Sequence, residues 1–248
     1  MKRSFLTLMG LCLGLSTALH AAELTVISGG AIEPGLRAAV AAYEKATGQM
    51  VRITFNTTPQ MRKRVAAGDT FDVIIAPPGA IRDFAAAGKV EAGGVDVGRV
   101  GSGVAVRPGA PVPAIATVDD IKKAVLEAES VVFNTATTGL YFENLLKKWG
   151  IYEQVQGKAA RYITGAEVMR HVLNGRGKEV GFGPITEILL EKRHGLILVG
   201  PFPPEIQNYT SYVATPMSAG TQKDAAQVLV KFLGGPVGKP LFVAAGIE

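Results

Sequence analysis

The sequence predicts an α/β protein of two lobes, each a mostly parallel sheet flanked by helices, with a ligand cleft between them. Three observations point there. Strand-like and helix-like patterns alternate from Leu24 onward, as they do where helices cover parallel sheets. About four such βα units precede residue 100 and about four follow it, which suits two lobes of similar size. Finally, the apolar runs Leu24–Gly30, Val51–Thr58, Val131–Gly139 and Val180–Thr186 each stop in small residues, chiefly Ser, Thr or Gly, and then become helix-like. A corner of that kind aims unpaired first-turn N–H groups and a hydroxyl at one point, where the helix dipole is positive.

Taken in order, Leu24–Ser28 reads as a strand and Pro34–Thr47 as a helix whose apolar face is Leu36, Ala39, Val40 and Tyr43. Gly48 suits its left-handed end. Val51–Phe55 is a strand, Pro59–Ala67 a helix closed by Gly68, Asp72–Ala76 a buried strand and Ala80–Ala87 a helix closed by Gly88. Gly103–Arg107 reads as a strand before the turn-rich Pro108–Pro113. The second half follows with helix Val118–Glu127, strand Ser130–Phe133, helix Thr138–Trp149 and strand Ala159–Ile163. Helix Ala166–Leu173, strand Glu179–Phe182, helix Thr186–Lys192 and strand Ile197–Val199 come next. Tyr209–Ala214 reads as a further strand, Thr221–Leu233 as an amphipathic helix and Val237–Ala245 as helical. The Gly-rich stretch Val97–Gly103 suits a first crossover between lobes and Tyr209–Thr215 a return. That assigns 23–99 plus 213–248 to one lobe and 100–212 to the other.

The N-terminus reads as an export signal covering residues 1–22. Lys2 and Arg3 form a basic start, Phe5–Leu15 an apolar core, and Ser16–Ala22 a small-residue stretch suited to cleavage after Ala21 or Ala22. The apolar core is shorter than the ~20 residues a spanning helix needs. The single cysteine, Cys12, lies inside it without a lipoprotein box, so the mature chain has no disulfide or thiolate. With Lys2 and Arg3 removed, the 26 basic residues become 24 against 21 acidic ones, a mild charge of about +3. Nucleic-acid binding would need a basic stripe with stacking aromatics, and only Arg62-Lys63-Arg64 approaches one, on a helix where a solvated face explains it. No second long apolar run follows, so the exported chain is expected to be soluble; a monomer is expected.

Candidate ligand donors come from the corners. Ser28-Gly29-Gly30 precedes Pro34, which fits a first helical turn, and the glycines admit a close backbone approach. Thr57-Thr58-Pro59 is the second corner and Thr137-Thr138-Gly139 the third. The fourth, Phe182-Gly183-Pro184-Ile185-Thr186, adds backbone groups at Gly183 and Pro184 and one hydroxyl. Tyr209 lies in the polar segment Asn208–Ser211, which lines the cleft, forms a hinge or is only a capped loop. All four corners sit at strand C-termini, where open α/β sheets bind ligands.

Catalytic sets are missing by residue type. His171 and His194 read as helix-face and helix-end residues, and Gly101-Ser102-Gly103 fails the nucleophile-elbow spacing. Gly175-Arg176-Gly177-Lys178 closes neither a dinucleotide nor a P-loop spacing. Asp69 sits in a turn and Asp72 opens a strand, so they make no acid–base pair. The expectation is a binding protein rather than an enzyme, with no cofactor and no metal.

The order of elements and the segments Leu24–Ala31, Tyr43–Gly48, Phe71–Ala76 and Gly103–Val106 resemble periplasmic substrate-binding proteins, and within them the molybdate-binding receptors of ABC importers. The resemblance covers Glu23–Glu248. It implies the two-lobed type II fold, closure on a small anionic solute, and delivery to an ABC permease in the inner membrane. It places the first hydroxyl donor on Ser28, the second on Thr57 or Thr58, and backbone donors near Thr137–Gly139. The phenol that this group carries after a Gly-rich strand has no counterpart in Gly181-Phe182-Gly183-Pro184-Ile185-Thr186. Extra glycine and the lost phenol leave room for a larger anion such as a di- or tricarboxylate, with Arg161, Tyr162, Asn208 or Tyr209 supplying contacts. A molybdate- or tungstate-like oxyanion is the first expectation and the organic carboxylate the alternative. A sensor or adaptor, or an enzyme on the same scaffold, are the readings from other classes.

Overall fold

The computed structural model describes residues 23–248; the expected export signal and Cys12 lie outside the described residues. The chain forms β1 (Leu24–Ser28), α1 (Glu33–Thr47), β2 (Val51–Phe55), α2 (Thr58–Ala66), β3 (Val73–Ala76) and α3 (Pro78–Ala86). Then come β4 (Val95–Val106), α4 (Val118–Glu127), β5 (Ser130–Asn134), α5 (Thr137–Lys148), α6 (Tyr152–Val155) and β6 (Ala159–Tyr162). The rest is α7 (Gly165–Asn174), β7 (Glu179–Pro184), α8 (Ile185–Leu190), β8 (Ile197–Pro201), β9 (Tyr209–Pro216), α9 (Lys223–Leu233) and α10 (Gly238–Ala244).

The strands join in the order β2-β1-β3-β9-β4-β7-β5-β6, with β8 also pairing β4. β2, β1 and β3 are parallel, as are β6, β5 and β7; the antiparallel pairings all involve β4 or β9. Because each parallel block needs helical crossovers, helices cover both of its faces. In the first block, α1, α9 and α10 bury Leu36, Val40, Tyr43, Leu229 and Phe242 on one face, and α2 and α3 bury Met61, Val65 and Phe84 on the other. In the second, Phe142 of α5 stacks on Phe182 of β7 at 3.9 Å, with Phe133 edge-on at 5.4 Å. Val168, Met169 and Val172 of α7 pack on the opposite face.

β4 differs from expectation. Only Gly103–Arg107 reads as a strand in the sequence, yet the ladder begins at Val95 and takes in the whole Gly-rich stretch. The reason is tertiary. Val97 and Val100 bury against the first core, and Gly98 lies where a side chain would meet Ile247 and Glu248. Val95–Gly101 pairs with β9, and Ser102–Val106 pairs with β7 and β8, so one strand runs from one block into the other. The short α6 also went unpredicted, since a single turn after Gly150 carries too little periodicity to register.

Candidate functional site

Parallel pairing puts the C-terminal ends of β1 and β2 on one side of the first block, and those of β5, β6 and β7 on one side of the second. The helices that follow begin there, and their first turns meet in one cavity. Gly29, Gly30, Thr57, Thr58, Thr137, Thr138 and Pro184 all line it, so residues from all four corners converge. Asn56, Asn134, Gly165, Glu187 and Tyr212 complete the wall.

Each corner is held locally. At the start of α2, the Thr57 N–H and hydroxyl both donate to Gln60 Oε1, at 2.8 and 3.1 Å. At α5, Asn134 Oδ1 accepts from the N–H groups of Ala136 and Gly139, both at 3.0 Å. The Thr137 and Thr138 N–H groups, in the first turn, have no acceptor within the helix. Thr164 caps α7 and exchanges bonds with Glu167. Three helix N-termini therefore face one space, a setting that favours negative charge.

Several expected donors have other duties. Ser28 is fully buried and donates its hydroxyl to the Gly29 carbonyl, and it is not part of the cavity wall. The Gly139 N–H is spent on Asn134, and a Cβ there would fall 1.8 Å from the Asn134 carbonyl oxygen, so this glycine serves packing. Gly183 is a ladder residue opposite Gly103 and is not part of the cavity wall. Tyr209 is exposed and lies against the Arg99 guanidinium at 4.2 Å, away from the cavity. Arg161 pairs with Glu143, the Tyr162 hydroxyl meets His171 Nδ1 at 2.7 Å, and the Asn208 carbonyl accepts from Ser102. Asp69 bonds Arg64, and Asp72 bonds Thr25, Thr221 and Gln222, so neither carboxylate is free for chemistry.

Gly29 and Gly30 make room for two side chains that the sequence reading did not single out. A Cβ on Gly29 would lie 2.6 Å from Tyr212 Cε1, and one on Gly30 would lie 2.9 Å from Glu187 Oε1. On Gly165 a Cβ would lie 1.5 Å from Glu187 Oε2. The Glu187 carboxyl thus sits between a glycine that follows β1 and one that follows β6. Its Oε2 is buried with no hydrogen-bond partner. Two other buried carboxylate oxygens lack a donor, on Glu143 and Glu179, but these face Arg161 and Arg107. Among the described residues Glu187 forms no ion pair. Burial, with the nearby Glu33 charge, pushes its carboxyl up to about 7. Burial also raises the Tyr212 phenol, and the negative charge of Glu187 adds to it, so Tyr212 stays neutral.

The signals for these residues were partial. Ile163-Thr164-Gly165 is a fifth strand-to-helix corner of the same kind and was legible. Glu187 looks like an ordinary acidic residue of a first turn. Tyr212 sits three positions beyond Tyr209, on the same strand.

A family model described as bacterial extracellular solute-binding protein matches residues 24–248. An aconitate isomerase from a Pseudomonas species is 32% identical over 235 residues, covering 91% of this chain and 88% of that protein. Among solved structures, the periplasmic molybdate-binding protein of Azotobacter vinelandii aligns with a TM-score of 0.75 at 16% identity, over 91% of this chain and 98% of that one. The tungstate ABC transporter structure from Geobacter sulfurreducens aligns at 0.71 and 15%, over 90% and 98%. At such identities these two share the fold, which is the two-lobed architecture of periplasmic binding proteins. With the match running from the first strand to the last residue, the chain belongs to the family of bacterial extracellular solute-binding proteins.

Proposed function

We propose that this protein is an exported receptor that captures a small organic polycarboxylate between its lobes and hands it to an ABC permease. The lobes are 23–99 plus 213–248 and 100–212, linked through β4 and β9, and residues 1–22 direct export. The observation that carries the reading is the pairing, in one cavity, of three helix N-termini with an unpaired carboxyl. The Thr58, Thr137 and Thr138 N–H groups and hydroxyls suit the carboxylates of a ligand, with Thr57 on the wall beside them. Glu187 suits the hydrocarbon between them, because a ligand carbon beside a buried carboxyl adds no charge. A tetrahedral oxyanion offers only acceptors and would hold Glu187 protonated throughout. The relative named aconitate isomerase supports a tricarboxylate as ligand.

Hydrogen bonds to a charged group contribute about 1.5–3 kcal/mol net each, so about four to six offset the cost of association and reach the roughly −8 kcal/mol of a micromolar complex. Lobe closure follows as a population shift toward the state in which both halves touch the ligand.

A molybdate- or tungstate-like oxyanion is the second reading, favoured by the neutral donors that make up most of the cavity wall. Calorimetric titration separates the two. The expectation is micromolar binding of trans-aconitate or a related tricarboxylate and at least a hundredfold weaker binding of molybdate and tungstate. The reverse order refutes the carboxylate reading.

A further inference from the structure

The Glu187 carboxyl offers the cleft more than a contact for a ligand's hydrocarbon. It is a base or acid with no partner of its own, set where a ligand's carbon skeleton would lie. Gly30 and Gly165 hold space for it from two sides. The neighbouring Thr186 hydroxyl donates to the Ala31 carbonyl, which pins the start of α8 across the seam between the blocks. A carboxyl kept for packing alone would find a carbonyl or hydroxyl partner, since a buried polar atom left unsatisfied is destabilising.

We propose that Glu187 is a catalytic residue: its carboxylate takes a proton from the methylene of a bound unsaturated polycarboxylate and returns it at the far end of the allylic system. This rests on the polycarboxylate reading above and deepens it. Written out, a Glu187 carboxylate oxygen forms an O–H bond as the methylene C–H bond breaks. The released pair delocalises over the three allylic carbons and into the adjoining carboxylates. The Glu187 proton then bonds to the former vinylic carbon, the double bond moves by one position, and the carboxylate is regenerated. Nothing is oxidised or reduced, and no co-reactant is consumed.

The surroundings suit each stage. Charge developing on the ligand's carboxylates meets the free N–H groups of Thr58 in α2 and of Thr137 and Thr138 in α5, donors fixed in place before the reaction. A carboxyl titrating near neutrality is both available as a base and able to give the proton back. The titratable and charged groups around it are Glu33 from α1, Tyr212 from β9, and Glu191 and Arg193 just past α8. Tyr212, kept neutral, adds no second negative charge against the intermediate.

The test uses the full exported chain with trans-aconitate as probe, in D2O, followed by proton NMR, alongside calorimetric titration of the same samples. The wild type is expected to bind the probe and to convert it to a second isomer or admit deuterium at its methylene. Glu187→Gln is expected to keep affinity within about tenfold while conversion falls by about 10³-fold. Glu187→Asp keeps a carboxyl and serves if the amide variant misfolds; it is expected to lose at least about tenfold while retaining a base-dependent pH limb. Wild-type binding without conversion or exchange overturns the inference and leaves the receptor reading standing. Full conversion by Glu187→Gln also overturns it. Absence of binding by the wild type removes the polycarboxylate reading itself.

Discussion

Replacing Glu187 with Gln should flatten the pH dependence of folding in the ligand-free protein. The folded carboxyl titrates near 7, whereas an unfolded chain titrates Glu near its ordinary 4.5. Between these values the folded state holds the proton more tightly, so the contribution is fully present below about pH 4.5 and is lost as pH rises through about 7. At about 1.4 kcal/mol per pH unit, the part of that loss falling between pH 5 and pH 8 is about 2.5 kcal/mol. For a chain of this size, 1 kcal/mol moves the melting temperature by about 2–4 °C, giving roughly 5–10 °C. Glutamine has the same shape and no titration. The measurement is therefore the wild-type melting temperature minus that of Glu187→Gln at pH 5 and again at pH 8. Every other group is the same in both proteins, so the difference isolates Glu187. Wild type should lose roughly 5–10 °C against the variant over that interval. Parallel curves would mean that Glu187 is solvated and free to ionise, and is no poised base.

Other perturbations read different parts of the molecule. Asp72 accepts from the Thr25 N–H and hydroxyl, both at 2.8 Å, and from the Thr221 and Gln222 N–H groups at 2.9 and 3.1 Å. Burial raises its carboxyl, but these bonds outweigh it and hold the group below its usual range. Asp72→Ala should cost about 3 kcal/mol in chemical denaturation at pH 7, and the difference should shrink as pH falls below about 4. Gly139→Ala would push a Cβ to 1.8 Å from the Asn134 carbonyl oxygen, and should cost more than about 3 kcal/mol or abolish soluble expression. Thr138→Val keeps shape but removes a hydroxyl from the cavity wall; calorimetry should show about tenfold weaker binding of the captured anion, with the melting temperature almost unchanged.

Most of the scaffold was legible because its signals are local. The helix at Val118–Glu127 follows from Thr117 and Asp120, which exchange capping bonds, and from apolar residues at helical spacing. Leu24–Ser28 and Val51–Phe55 follow from β-branched runs stopped by Gly, Thr or Pro. The convergence of Thr57, Thr58, Thr137 and Thr138 was also readable, since the C-terminal ends of parallel strands share a side. What failed was non-local. Val95–Gly101 is a strand only because β9 lies beside it, and glycine has little strand preference of its own. Gly29 and Gly30 signalled close approach correctly, but the approaching groups come from Tyr212 and Glu187, more than 150 positions away. Ser28 shows the same limit in reverse. Its place at the end of a strand invited a ligand contact, and the turn after it consumed the hydroxyl.

A single twelve-residue strand, β4, holds hydrogen bonds with β9 at one end and with β7 and β8 at the other. Neither half can shed its sheet without stripping partners from the other. Melting should therefore be one cooperative event, with a calorimetric enthalpy equal to the van't Hoff value, in place of two separate transitions. For the same reason a fragment cut at the seam leaves each piece with an orphaned ladder, and the two halves should recover their structure only when mixed.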